Sequence, residues 1–211
     1  MRWEELLGRF ANQPLFHTSL LGVFPDPRPS ILVQLSRWVN KGKLAQIRRG
    51  WYLIEKPYRT KEISAAFIAN TVVHPSYLSL EWALQYHGLI PEATFQPTSI
   101  TTQRGVQFQA VDRIFLYHHV SPKIFHGFVA IEISGEKIVV ATPEKALWDR
   151  IYINAFQNSF SVAWLKGLRL QNIDRLNLEN FRRFGALIHK TGFASAIDGT
   201  LEFIRKNGRN S

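Results

Sequence analysis

PSILVQLSRWVNKGKLAQIRRGWYLI, residues 29–54, decides the architecture of the first part of the chain. Over 29–44, Ile31, Leu35, Trp38 and Val39 recur at helical spacing as one apolar stripe, and Gly42 offers the left-handed stop that ends such a helix. The opposite stripe is Ser30, Gln34, Arg37 and Lys41, hydrogen-bonding and cationic side chains of the kinds that reach base edges and phosphates from a major-groove helix. Leu44–Ile47 and Trp51–Ile54 then read as two strands joined by Arg48-Arg49-Gly50, with glycine supplying the positive φ of a tight turn. Upstream, WEELLGRF (3–10) predicts a first helix. A second, short one fits Thr18–Val23, capped by Thr18 and ended by Pro25-Asp26-Pro27. Helices followed by a basic-tipped hairpin predict a winged helix-turn-helix over residues 1–60.

Charge is distributed to match. The chain of 211 residues carries a formal net charge of +10. Residues 1–60 hold a net +6, residues 61–150 a net −1 and residues 151–211 a net +5. Between Asp26 and Glu55 there is no carboxylate. A solvated face normally mixes signs, so a cationic run free of acids points to phosphate, the alternative being an ordinary basic patch. The residues expected to meet double-stranded DNA are Arg28, Ser30, Gln34, Arg37, Lys41, Lys43, Arg48 and Arg49. Arg28, between Pro27 and Pro29, stands where loop meets helix. Arg48 and Arg49 at the hairpin tip present planar, permanently charged donor forks.

Composition excludes several classes. The sequence has no Cys, which removes disulfides, thiolate nucleophiles and Cys-based metal sites and fits a reducing, cytoplasmic setting. No apolar run approaches the roughly 18 residues of a membrane span, and Glu4 and Glu5 stand where a signal peptide has its basic and apolar regions. No phosphate-binding glycine loop, zinc-protease motif or serine-hydrolase pentapeptide occurs. No cofactor, metal or catalytic residue is expected.

Glu55-Lys56-Pro57-Tyr58-Arg59-Thr60 reads as a polar linker into a mixed α+β domain over 61–211 with a helical C-terminal extension. An apolar helix is expected over 62–73, broken by Pro75. Ser79 is expected to cap a helix that stops at Gly88, followed by strands at 98–103, 106–111, 113–120 and 128–141, the last interrupted at Ser134-Gly135. In TPEKALWDRIYI (142–153), Thr142 caps, Pro143 takes the first helical position, Glu144 faces the dipole and Lys145 pairs with Asp149 one turn on. Basic helices are expected at 178–190 and 193–206, with Arg182, Arg183 and Lys190 exposed and Phe181, Phe184, Leu187 and Ile188 buried.

Four stretches in this order, RRGWYL (48–53), YLSLEWALQYHGLIPE (77–92), RIFLYH (113–118) and ATPEKALWDRIY (141–152), resemble the antitoxins of type IV abortive-infection (AbiE) toxin–antitoxin systems, over roughly residues 30–155. The resemblance implies a DNA-binding winged helix that represses its own operon. It also implies a second domain that neutralises a nucleotidyltransferase-like toxin without a stable complex. Proteins with these domains also act as transcription regulators without a toxin partner. A nuclease would need clustered acids, and Asp112, Glu136 and Lys137 are the nearest approach, with Glu136-Lys137 read more simply as a solvated hairpin end. His118 and His119 are adjacent on a strand and point to opposite faces, so they do not share a metal ion.

Overall fold

The computed structural model describes residues 1–157, 160–185, 188 and 191–208. Helix α1 (Trp3–Phe10) begins where Glu5 accepts the Arg2 backbone N–H at 2.7 Å, and it buries Trp3, Leu6 and Phe10. Strand β1 (Leu15–His17) runs into a 3-10 helix (Thr18–Val23) capped by His17, whose Nδ1 accepts from the Ser19 N–H at 3.2 Å. The cap thus sits one residue before Thr18, because the imidazole reaches the second free N–H of the turn. Helix α2 (Arg28–Asn40) takes Arg28 as its first residue and ends four residues earlier than position 44. Gly42, at φ +66°, sends its N–H to Val39 and the next N–H, of Lys43, to Trp38, both at 2.9 Å. That pair of bonds satisfies carbonyls the helix leaves open.

Strands β2 (Leu44–Arg48) and β3 (Trp51–Ile54) form the antiparallel hairpin, and β1 adds to the other side of β3, giving the order β1-β3-β2. Alternation along these strands divides their apolar residues between two cores. Phe16, Leu44, Tyr52 and Ile54 join Leu6, Leu35 and Trp38 in one buried cluster. Leu15, Ile47 and Leu53 belong to the larger cluster that continues through the rest of the chain. The segment expected as a linker is pinned: Thr60 Oγ1 donates to the Ala11 carbonyl at 3.1 Å, and Tyr58 meets the Trp3 ring edge-on.

The rest is a six-stranded sheet with helices packed on it. Helix α3 (Ala65–Val72) is capped by Ser64, β4 (Ser76–Leu78) leads into α4 (Leu80–Tyr86), and then come β5 (Thr98–Thr101), β6 (Val106–Ala110), β7 (Arg113–His119), β8 (Phe128–Ile133) and β9 (Glu136–Ala141). Their order is β6-β7-β5-β4-β9-β8, with β4–β9 and β5–β7 parallel. Helices α5 (Pro143–Gln157), α6 (Val162–Gly167), α7 (Leu178–Gly185) and α8 (Thr191–Asn207) complete the chain, and α5 packs against α4, α7 and α8. The fold is therefore mixed α+β. No helix among the described residues is long and apolar enough to cross a membrane. Phe181 is buried and Phe184 and Ile188 pack on the core, whereas Leu187 and Lys190, and the helix expected through 186–190, lie outside the described residues except for Ile188.

Glu136 corrects the expectation of a solvated hairpin end: it is buried and both its oxygens accept the Ser64 N–H at 3.2 Å, tying β9 to the start of α3. Asp112 lies in the β6–β7 turn, at least three strands away from β9. At about 4.8 Å per strand, that separation keeps the two acids in different places.

The hairpin turn yields a stability test. Gly50 sits at φ +84°, and a Cβ there meets His17 Nε2 at 2.5 Å, while Gly42, also left-handed, faces open space. Gly42→Ala is expected to cost about 1 kcal/mol and Gly50→Ala more, about 2–3 kcal/mol, since the second adds a clash to the same backbone strain. Urea unfolding measures both, and His17→Ala, which loses the cap on Ser19 in either background, should cost less in Gly50→Ala than in the wild type because it also relieves the clash.

Candidate nucleic-acid interface and a buried polar centre

Helix α2 is held by Ile31, Leu35 and Trp38, which face the core. At about 100° per residue, the row directly opposite is Val33, Ser36, Arg37 and Asn40, with Pro29 and Ser30 one turn nearer the N-terminus. All of these are exposed. The stripe read from the sequence, Ser30, Gln34, Arg37 and Lys41, runs along the flank of that row, and Gln34 is half-buried. Val33, Ser36 and Asn40 become apparent only once the buried stripe fixes the point opposite it: Val33 is apolar, and Ser36 and Asn40 lie beside the cationic stripe.

The cations fall into two groups. Arg28, Arg37, Lys41 and Arg49 are exposed, and no carboxylate pairs with them among the described residues. Lys56 and Arg59, by contrast, both reach Glu62, at 2.8 and 3.4 Å. Lys43 is drawn inward over the Trp3 and Tyr58 rings, 4.8 and 5.4 Å from their centroids. Arg48 lies over Phe108 of β6 at 5.9 Å, and its charge opposes the upward push that burial gives the Tyr117 phenol. Of the hairpin pair, Arg49 alone occupies the turn with Gly50, whose carbonyl accepts from the Thr18 N–H at 2.8 Å. The structure thus leaves open Arg28, Ser30, Arg37, Lys41 and Arg49, keeps Gln34 partly open, and engages Lys43 and Arg48 with aromatic rings.

A second concentration of polar groups is buried. Asp149 on α5 accepts from Ser79 Oγ at 2.7 Å, from the Tyr77 hydroxyl at 3.0 Å and from Lys145 Nζ. All four side chains are 0% exposed. The Lys145 ammonium lies 4.4 Å from the Trp148 ring centroid and within 6 Å of those of Tyr77 and Phe184. Gly127 leaves the room for this packing: a Cβ there meets Phe184 at 2.8 Å and Lys145 Cγ at 3.1 Å. Burial raises the Asp149 carboxyl and lowers the Lys145 ammonium, each opposed by their mutual attraction, and burial also pushes Tyr77 well up.

This arrangement bears out one sequence reading and corrects another. Lys145 pairs with Asp149 at the expected i, i+4 spacing, and the pair is buried in the core. Ser79 precedes α4 but makes no capping bond, because its hydroxyl is spent on Asp149. Leu80, the next residue, sits at φ +56°, a left-handed turn that swings the chain from β4 into α4. The stretches 77–92 and 141–152 therefore meet at one carboxylate. With every member sealed from solvent and the carboxylate fully engaged by donors, the chemistry available is structural: the centre locks β4 to α5. His118, half-buried near Glu81 and Arg150, has its imidazole lowered chiefly by desolvation, and the exposed His119 bonds the Gln103 carbonyl through Nδ1 at 3.0 Å. No protein-family model matches the chain, and no curated protein matches it.

Removing one partner of a buried pair strands the other charge, which costs about 3–5 kcal/mol. Lys145→Met and Asp149→Leu are each expected to lose that much in urea unfolding. The double variant should be far less unstable than the sum of the two, with a residual loss from the unpartnered Tyr77 and Ser79 hydroxyls. Additive losses would show that the pair is not energetically coupled.

Proposed function

We propose that the protein is a DNA-binding transcription regulator whose residues 1–60 form a winged helix-turn-helix. The observation that carries this reading is the combination of order and charge. Helix, strand, short helix, long helix and hairpin follow one another around one three-stranded sheet, and the long helix turns outward a face without acids, bordered by unpaired cations. A helix of this diameter fits a major groove, where Ser30, Gln34 and Arg37 reach base edges. Arg28, Lys41 and Arg49 meet phosphates on either side, and the hairpin turn supplies the wing contact. The field of the basic N-terminal segment steers the duplex to this face. Such a role puts the working protein in the cytoplasm.

Affinity for duplex DNA is expected to fall with salt at a log–log slope of about −3 to −4, from roughly −0.9 per phosphate neutralised. Arg49→Ala should weaken all sequences alike and make the slope shallower by about 0.9. Arg37→Ala should cost about 1–3 kcal/mol chiefly on the preferred site. Fluorescence anisotropy across a salt series measures all three. Salt-independent binding, or an Arg37→Ala/Lys41→Ala/Arg49→Ala protein that melts normally and binds as the wild type does, overturns the reading.

The antitoxin role rests on the resemblance alone. In that reading the regulator represses its own operon, and residues 61–211 neutralise a nucleotidyltransferase-like toxin without a stable complex. The full-length Arg37→Ala/Arg49→Ala protein should then still rescue growth of cells expressing the neighbouring toxin gene. Rescue is tested in the full chain because Leu15, Ile47 and Leu53 share a core with residues 61–211. Failure of the wild type to rescue beside each adjacent gene favours a regulator without a toxin partner.

A further inference from the structure

Val33 is the apolar centre of an otherwise polar face. It is 51% exposed and belongs to neither buried cluster. Its neighbours one turn away, Ser30, Ser36 and Arg37, and Asn40 two turns on, are all exposed, and their side chains make no hydrogen bond or ion pair within the described structure. A β-branched side chain at such a site adds nothing to helix propensity and packs against nothing in the chain. Isolated exposed apolar residues are common on protein surfaces. What distinguishes Val33 is its place, about 180° around the helix from Ile31, Leu35 and Trp38, where a groove-bound helix lies deepest. Leu32, the other exposed aliphatic of α2, points elsewhere, toward a cavity lined by Thr18, Ser19, Leu21 and Arg28.

The floor of a major groove offers one apolar group, the C5-methyl of thymine. We infer that Val33 is a specificity-determining residue, in van der Waals contact with the C5-methyl of a thymine in the bound duplex. This rests on the DNA-binding reading and adds to it a base and an atom. Arg37 stands one turn on, about 6 Å along the axis, which is about two base-pair steps. The thymine touched by Val33 therefore lies within about two base pairs of the base that Arg37 reads.

The probe is a set of duplexes enriched by the full-length protein from a randomised double-stranded pool. Each thymine is exchanged singly for deoxyuridine, which removes the methyl and leaves base pairing and every hydrogen-bonding edge unchanged. One or two exchanges are expected to weaken wild-type binding about fourfold, the value of one buried methyl group. Val33→Ala, which alters an exposed side chain, should bind the parent duplex about as weakly and be indifferent to the same exchanges. Val33→Ile should retain the discrimination. Uniform affinity across all the exchanges, or a Val33→Ala protein that still distinguishes thymine from uracil, overturns the assignment while leaving salt-dependent DNA binding intact. A pool from which no duplex is enriched overturns the DNA reading and this assignment together.

Discussion

Asp149 is the group on which the rest of the body depends. Its carboxylate is fully buried and takes three donors from two distant parts of the chain: Tyr77 and Ser79 at the end of β4, and Lys145 one turn earlier on α5. A buried carboxylate is tolerated only when its lone pairs are filled, so the sheet and the helix are constrained to meet at this point and at one register. The constraint propagates. The left-handed Leu80 launches α4 from the same corner, and α4 packs on α5, which in turn carries α7 and α8. Aromatic rings of Tyr77, Trp148 and Phe184 around the ammonium replace part of its lost hydration.

The small N-terminal sheet is joined to this body by one of its faces. Tyr52 and Ile54 close the core under α1 and α2, while Leu53, between them, is buried with the residues of the large sheet. Arg48 reaches across to Phe108 on β6, the outermost strand on that side. The exposed edge of β6 is thereby partly covered by the hairpin, one of the ways a sheet edge is kept from pairing with other chains. Arg48 thus lies over a ring of the large sheet while staying exposed, and Arg49 at the turn meets neither ring nor acid among the described residues.

Much of the fold is legible in the sequence where a local signal sets it. Gly42 and Gly88 both stop helices with left-handed backbone, as their positions after an apolar stripe require. Ser134-Gly135 turns the chain between β8 and β9, and strands β5 to β9 fall within the expected ranges. What escapes is set by distant partners. β1 and β4 have three residues each, too few to show a period, and β4 is buried throughout, so no alternation marks it. The i, i+4 spacing of Lys145 and Asp149 is the same for a core pair as for a surface pair. Only Tyr77 and Ser79, some 70 residues earlier, distinguish the two. Glu136 is misjudged for the same reason, and the ring under Arg48 goes unseen, their partners Ser64 and Phe108 lying far off in the chain.

The pairing of charges separates structure from candidate interface more sharply than their number does. Cations that hold elements together have found acids or rings: Lys145 with Asp149, Arg150 with Glu81, Lys43 over Trp3. Those on the outward side of α2 and at the hairpin turn have found neither, although the chain carries enough carboxylates to pair some of them. Surface ion pairs add little stability, so their absence there costs the fold almost nothing. It does leave cations whose strongest available partner is an external anion. A row of them along a helix whose outermost residues are small and polar or aliphatic matches a surface that alternates phosphates with a groove floor. In the DNA-binding reading proposed above, separating the residues that hold the fold from those that face outward would let the outward set change with the sequence read, while Asp149 and its donors keep the body as it is.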